Sequence, residues 1–260
     1  MKIISFLDKC LQMKVSIITV CYNSSETIEM TIKSVLSQNY SNIEYIIVDG
    51  ASADGTLNIV ERYRSKLATI ISEKDKGIYF AINKGIALAT GDIIAILHAD
   101  DFYTNEKVIS TVVNCFQQNN VDAVYGDLQY VDRIDTNKIK RNWISSTYLK
   151  QNFLKGWMPP HPSFFVKNEC YNRFGLFNTN LKSAADYELM LRLLYKYNCS
   201  VAYLPIVLVK MRIGGKSNVS LMNRLQANRE DKKAWEINNL TPNFSTFIRK
   251  PLSKLGQFFR

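Results

Sequence analysis

Acidic residues recur in this chain where apolar runs stop. Asp49 follows Ile43-Glu44-Tyr45-Ile46-Ile47-Val48, and Asp75 follows a shorter run over 68–72. Asp100 and Asp101 close the stretch Gly91-Asp92-Ile93-Ile94-Ala95-Ile96-Leu97-His98-Ala99. Short β-branched runs bounded by turn residues read as buried parallel strands, and ligands of open α/β sheets bind at the carboxyl ends of such strands. A single Asp there is ordinarily a turn or cap residue, whereas groups in register can share one crevice. Asp49 and Asp75 would accept hydrogen bonds from a base and ribose. Asp100 and Asp101 would hold Mg2+ or Mn2+ against phosphate oxygens, because such cations take oxygen ligands and bridge carboxylate to phosphate. A nucleotide-sugar has that combination of groups. Asp186 opens a later helical pattern, where it serves equally as an N-cap or a general base.

The elements that must position these residues alternate. Residues 15–20 read as a first strand, and Cys21-Tyr22-Asn23-Ser24-Ser25 leads into a helix reaching Gln38 with Ile28, Ile32, Val35 and Leu36 on one face. A second strand over 43–48, a turn-rich loop over 49–56 and a helix with Leu57, Val60 and Leu67 inward follow. Next come a short strand over 68–72, a helix over 78–89 closed by Gly91 as a C-cap, and the strand that Gly91 opens. This β-α-β-α-β-α-β order requires parallel strands joined by right-handed crossovers in a layered α/β fold. Beyond Asp101 the pattern predicts a helix over 106–117, a strand over 123–125 and a hairpin over 127–143. A proline-rich segment, Gly156-Trp157-Met158-Pro159-Pro160-His161-Pro162, precedes a strand over 163–166 and a helix over 185–197. Two strand-like pieces, 200–203 and 206–211, lead to a tail that reads helical and then basic and aromatic.

Composition narrows the classes. The 260 residues are 47% hydrophobic and 22% charged, and their net charge of +10 suits an anionic partner. Five scattered cysteines without a CxxC argue against a disulfide framework or a zinc site and for a reducing compartment. No apolar run reaches the ~18 residues that span a bilayer. Met1–Leu11 is too short and mixed for a secretory signal, and Met13 stands directly before the first strand. The chain contains neither Gly-x-Gly-x-x-Gly after its first strand nor a P-loop sequence, which argues against a dehydrogenase or a P-loop ATPase.

Several stretches then resemble one family in order and spacing. They are Val15-Ser16-Ile17-Ile18-Thr19-Val20-Cys21-Tyr22-Asn23, residues 47–56, Asp75-Lys76-Gly77-Ile78-Tyr79, residues 81–85 with 89–92, Leu97-His98-Ala99-Asp100-Asp101, and Ala184-Ala185-Asp186-Tyr187-Glu188-Leu189. The chain over most of 14–215 resembles the family 2 glycosyltransferases of GT-A fold, which make bacterial surface polysaccharides. The DKGIY, PHPSFF and GGKSN stretches resemble a subgroup near the colanic-acid and O-antigen transferases. The resemblance implies a Rossmann-like, mostly parallel central sheet flanked by helices, with a small antiparallel extension and a C-terminal helical tail. It divides the chain into an extension (1–13), a nucleotide-sugar part (14–103), an acceptor part (104–215) and a basic amphipathic tail (216–260). It implies an inverting, metal-dependent transfer of a sugar, with UDP as the favoured carrier, to a hydroxyl of a lipid-linked glycan of lipopolysaccharide or capsule.

The carry-over is specific to residues. Val20, Tyr22 and Asn23 fall on the nucleotide-sugar side, where Tyr22 matches an aromatic that stacks near the base and Asp49 an acid that contacts it. Asp100 and Asp101 match a D-x-D-type metal motif whose first acid is replaced here by His98. Ile82 stands where many members carry Arg, which leaves Lys76 and Lys84 as substitute contacts beside Asp75. Asp186 matches the Asp of a Glu-Asp pair, the general base of inverting members, with Ala185 in place of the Glu. His161, Arg212 and Lys216 are further anion contacts, the last two in a glycine-containing loop suited to cover a diphosphate. Trp143 and Trp157 suit either sugar stacking or a core. The tail, with Phe247, Ile248, Leu252, Leu255, Phe258 and Phe259 among Arg249, Lys250, Lys254 and Arg260, suits an anionic membrane. The expected location is cytoplasmic, at the inner face of the membrane, with no nucleic-acid partner. Two other readings stay open: a sugar nucleotidyltransferase, and a degenerate nucleotide-sugar-binding subunit.

Overall fold

A computed structural model of the chain describes residues 12–214, 221–243 and 246–247. Expectations for the first eleven residues, for Lys216 within the 215–220 loop and for the stretch after 247 lie outside the described residues.

Strands β1 (Val15–Cys21), β2 (Ile43–Asp49), β3 (Thr69–Ser72) and β4 (Ile93–Ile96) lie parallel in the order β3-β2-β1-β4. The apolar runs of β1 and β4 and most of β2 are buried on both faces because helices cover the sheet, while the edge strand β3 is only partly buried. Helix α1 (Ile28–Leu36) turns Ile28, Ile32 and Val35 inward, as its spacing predicts. Helices α2 (Thr56–Glu61) and α3 (Ile78–Leu88) make the next two crossovers. Register sets Cys21 beside Asp49 and Asp49 beside Ser72, so these carboxyl ends finish on one edge.

Gly91 is not the cap of α3, which ends at Ala89. A Cβ at Gly91 would lie 2.6 Å from Ser16 Oγ, 2.7 Å from Ser16 N and 2.8 Å from the Lys14 carbonyl oxygen. Glycine is required because the chain entering β4 passes against the backbone of β1. That crossing is held by Glu44, whose carboxylate accepts from Lys14 Nζ (2.7 Å), Ser16 Oγ (2.5 Å) and both the amide and the hydroxyl of Thr90 (2.7 Å each).

After β4 the sheet continues β8-β6-β9-β5. Its strands are β5 (Asp101–Tyr103), β6 (Ala123–Val131), β7 (Ile139–Trp143), β8 (Phe164–Lys167) and β9 (Val201–Arg212), with β7 paired to β6 as the expected hairpin. β8 runs antiparallel to β4 and β6, β9 runs parallel to β6, and β5 runs antiparallel to β9. The two strand-like pieces are one strand: the β6–β9 register jumps from Leu204 to Val207, so Pro205 and Ile206 form a bulge that needs no amide from the proline. Helices α4 (Val108–Asn119) and α5 (Asn168–Phe174) flank this half. The helix expected over 185–197 is an α-helix, α6 (Ala185–Met190), that widens into a π-helical turn over 191–196.

Helix α7 (Leu221–Ile237) belongs to the body rather than to a free tail. Trp235 is fully buried and donates Nε1–H to the Tyr187 hydroxyl at 2.8 Å. Asn238 reaches Glu188 at 2.9 Å, and Thr246 reaches the Leu154 carbonyl at 2.7 Å. The amphipathic basic stretch expected from Phe247 onward lies, apart from Phe247 itself, outside the described residues. No helix of the described residues is long and apolar enough to cross a membrane.

Candidate active site

The first wall of the site is built from the loops after β1 and β2, which clasp each other. Asn23, in a left-handed conformation at φ 50°, donates its amide to Ser52 Oγ (2.8 Å) and accepts the Ala53 amide at Oδ1 (3.0 Å). The Ser24 amide reaches Thr56 Oγ1 at 2.7 Å and the Ser25 amide reaches Asp54 at 3.0 Å. Asp49 organises this wall from inside. It is 0% exposed and accepts from the amide of Ser52 (3.0 Å) and the hydroxyls of Ser52 (2.5 Å) and Ser72 (2.6 Å), with Cys21 Sγ at 3.5 Å. The chain itself therefore occupies the carboxylate that the sequence directs at a base. Val20 is likewise buried in β1 and presents only its backbone. Tyr22 is 52% exposed, with its ring edge near Gly50.

Asp75 and Lys84 pair with each other, whereas the sequence offered Lys84 as a phosphate or base contact. Lys84 Nζ bonds Asp75 Oδ1 at 2.9 Å and also pairs with Glu73. Asp75 Oδ2 is buried with no hydrogen-bond partner, so one acceptor is left for a ligand. Lys76 lies exposed beside them.

The two adjacent acids after β4 part company. The backbone of this motif is gripped from both sides: Thr31 on α1 donates to the carbonyls of Ala99 (3.0 Å) and Asp101 (2.7 Å), and Arg212 Nη1 donates to the Asp100 carbonyl (2.8 Å). Asp100 is part-exposed, whereas Asp101 is 0% exposed. Asp101 opens β5, a strand absent from the sequence expectation, and so is folded under the sheet. Burial, reinforced by Asp100, raises its carboxyl well above the usual range, and neither oxygen has a hydrogen-bond partner. The donor chemistry for Mg2+ or Mn2+ thus fits Asp100, a hard oxygen ligand at the cleft, and does not fit Asp101 as the second ligand. No cluster of three or more His, Cys, Asp or Glu among the described residues is arranged to hold a metal. Arg212 also departs from expectation. It is 3% exposed, lies over the Phe102 ring at 4.9 Å and touches Met30 Sδ, and so clamps the motif instead of reaching for a phosphate.

Opposite this edge stands Asp186, in the first turn of α6. Its side chain caps no amide: the N-cap position is Ala184, and Asp186 is the second helical residue. Glu230 of α7 accepts the amides of Ser183 (2.7 Å) and Ala184 (3.1 Å), which fixes the chain entering the helix. Asp186 faces His161, whose Nδ1 lies 3.2 Å from Oδ2, and Tyr79, whose hydroxyl lies 3.4 Å from Oδ1. The ring of His98 meets that of His161 edge-on at 5.8 Å. Burial, with His161 adding to it, lowers the His98 pKa to about 4 against the pull of Asp100 and Asp186, so His98 is neutral between the two acids. His161 therefore joins Asp186, where the sequence had offered it as an anion contact. Tyr79 was visible in the DKGIY stretch but without a role, and Glu230 carried no sequence signal because its partners are backbone amides far along the chain.

Trp143 is a core group, and Trp157, half-buried, packs against the core. Trp143 stacks on Tyr130, with Arg141 over the Tyr130 ring at 3.9 Å, and Trp157 packs among Tyr125, Tyr148 and Phe153. The four described cysteines are all free thiols.

A model of the family described as Glycosyl transferase family 2 matches residues 16–176. The Escherichia coli UDP-Glc:alpha-D-GlcNAc-diphosphoundecaprenol beta-1,3-glucosyltransferase WfgD is 27% identical over 243 residues, which is 93% of this chain and 89% of that protein. The crystal structure of S. aureus TarS 1-349 in complex with UDP-GlcNAc superposes with a TM-score of 0.69 at 20% identity, over 95% of this chain and 73% of that one. The mannosyltransferase PcManGT from Pyrobaculum calidifontis, in complex with GDP-Man and Mn2+, superposes at 0.64 with 20% identity, over 93% of this chain and 68% of that one.

Proposed function

Because the chain belongs to glycosyl transferase family 2, we propose that it moves a sugar from a UDP-sugar to a hydroxyl of a lipid-linked glycan, inverting the anomeric carbon. The observation that carries this reading is the Asp186 carboxylate itself, which caps no helix amide and instead meets His161 and Tyr79. WfgD, whose name specifies UDP-Glc and a diphosphoundecaprenol-linked GlcNAc, motivates the donor and acceptor classes.

The roles follow from what each group can do. Tyr22 stacks on the base, and Asp75, whose Oδ2 has no hydrogen-bond partner within the chain, accepts from the nucleoside. Asp49 acts through the loop it braces. Asp186 takes the proton of the acceptor hydroxyl while that oxygen bonds to the anomeric carbon. The bond from that carbon to the diphosphate breaks on the opposite face, and its electron pair leaves with the nucleoside diphosphate. Asp100 would hold Mn2+ or Mg2+, which when bound neutralises charge on the diphosphate. The side chains at the cleft stay positioned because Thr31 and Arg212 fix the motif's backbone.

The test uses UDP-glucose and a GlcNAc-diphosphate-lipid acceptor, with UDP and GDP sugars screened by thermal shift in Mn2+ for other donors. Asp186→Asn is expected to lower transfer at least ~100-fold while UDP binding is kept. Near-normal turnover would remove Asp186 as the base. Transfer at full rate after EDTA treatment would remove the metal. Release of pyrophosphate in place of UDP would mark a nucleotidyltransferase.

A further inference from the structure

The base proposed above is held by two side chains that the reaction itself does not call for. Each oxygen of the Asp186 carboxylate has its own neighbour: Tyr79 at Oδ1 (3.4 Å) and His161 at Oδ2 (3.2 Å). Both neighbours are immobilised from behind. The Tyr79 ring stacks on Phe177 at 5.8 Å and 15°. Burial, and then Asp186 itself, raises the Tyr79 phenol far above its ordinary range, so the hydroxyl stays protonated and donates. His161 stands between Pro160 and Pro162 in a short 3-10 turn. Ser163 Oγ fastens that turn to the Gly126 carbonyl on β6 at 2.7 Å. The ring of His98 closes the other side of His161 at 5.8 Å. An imidazole that faces a carboxylate through Nδ1 keeps a proton on Nδ1 to donate.

We infer that His161 is a positioning residue: it donates Nδ1–H to Asp186 and, with Tyr79, aims the carboxylate at the acceptor hydroxyl. This rests on Asp186 being the base. It replaces a phosphate contact for His161, and the two assignments differ in what they alter. A phosphate contact governs donor affinity, whereas a seat for the base governs turnover.

With the UDP-glucose and GlcNAc-diphosphate-lipid pair, His161→Ala is expected to lower kcat ten- to hundredfold. The donor KM and the affinity for UDP with Mn2+ should stay within threefold. His161→Asn, which can still present an N–H near the Nδ1 position, should recover most of the loss. Tyr79→Phe should cost about three- to tenfold in kcat. In an Asp186→Asn background, His161→Ala should add less than threefold. A loss of UDP affinity with kcat retained, or losses that multiply in the double variant, would overturn the inference. If Asp186→Asn itself were active, the base reading would fail instead, and the two failures are told apart. A readout free of substrates is also available, because His98 and His161 are the only histidines in the chain. Long-range 1H–15N spectra should show neutral His161 protonated on Nδ1 in the wild type and shifted toward the Nε2–H tautomer in Asp186→Asn. An Nε2–H tautomer in the wild type would overturn the inference whatever the substrate.

Discussion

At the scale of single residues, the adjacent acids Asp100 and Asp101 are chemically identical and structurally opposite. One faces the cleft; the other begins β5 and is sealed beneath it. Adjacent residues of an extended chain point to opposite faces, so a pair at a strand start seldom serves one ligand together. Asp100→Asn is therefore expected to abolish the Mn2+-dependent thermal stabilisation by UDP and to lower transfer at least ~100-fold. Asp101→Asn should keep that Mn2+-dependent stabilisation, which differential scanning fluorimetry would measure. Loss of the effect in both variants would return Asp101 to the metal. Arg212 is similar in kind: a cation beside two acids looks like a phosphate contact, but it is 3% exposed and donates to the Asp100 carbonyl and Met30 Sδ.

At the scale of elements, the edge that presents these groups is only as firm as the crossing of β1, β2 and the Thr90-Gly91 turn. Glu44 is the shared acceptor there. Burial alone would raise its pKa, but hydrogen bonds from Lys14, Ser16 and Thr90 outweigh it and bring it down to about 2. A carboxyl depressed in the folded state stabilises fully above its unfolded value, near pH 4.5, and loses that contribution as pH falls toward 2. Glu44→Gln should thus lower the Tm at pH 7, by order 1–2 kcal/mol of stability. The gap from wild type should close on going from pH 6 to pH 3. A gap that stays constant with pH would show that the charge of Glu44 does not matter.

At the scale of the whole molecule, Asp186, the proposed base, lies in a segment that the family match, ending at residue 176, does not include. Helix α7 supplies Glu230 to the amides before α6 and anchors itself by Trp235 under Tyr187. Glu230→Ala is expected to cost about 1–3 kcal/mol, since two backbone donors lose their acceptor. It should lower kcat for transfer while leaving UDP affinity unchanged, because the nucleotide wall lies on the other half of the sheet. Isothermal titration with UDP beside steady-state transfer kinetics would separate the two effects, and equal losses in both would refute a role confined to α6.

Periodicity and turn chemistry alone determined the parallel half of this protein. Runs such as 43–48 and 91–99 can be buried on both faces only between helices, and short links leave few ways to connect them. The same local rules made Asp75, Lys84, Asp100 and Asp186 visible as candidates. Tertiary structure decided what each candidate can do, because function here depends on which partners arrive from elsewhere. Asp49 is saturated by Ser52 and Ser72, Asp101 is closed off by β5, and His161 is carried to Asp186 by a proline turn. Asp186 falls at the second helical position and not at the cap its place in the sequence suggested, and Glu230, 44 residues on, holds the amides that lead into that helix. Burial and long-range hydrogen bonding are properties of the packed chain, and no spacing along the sequence encodes them directly.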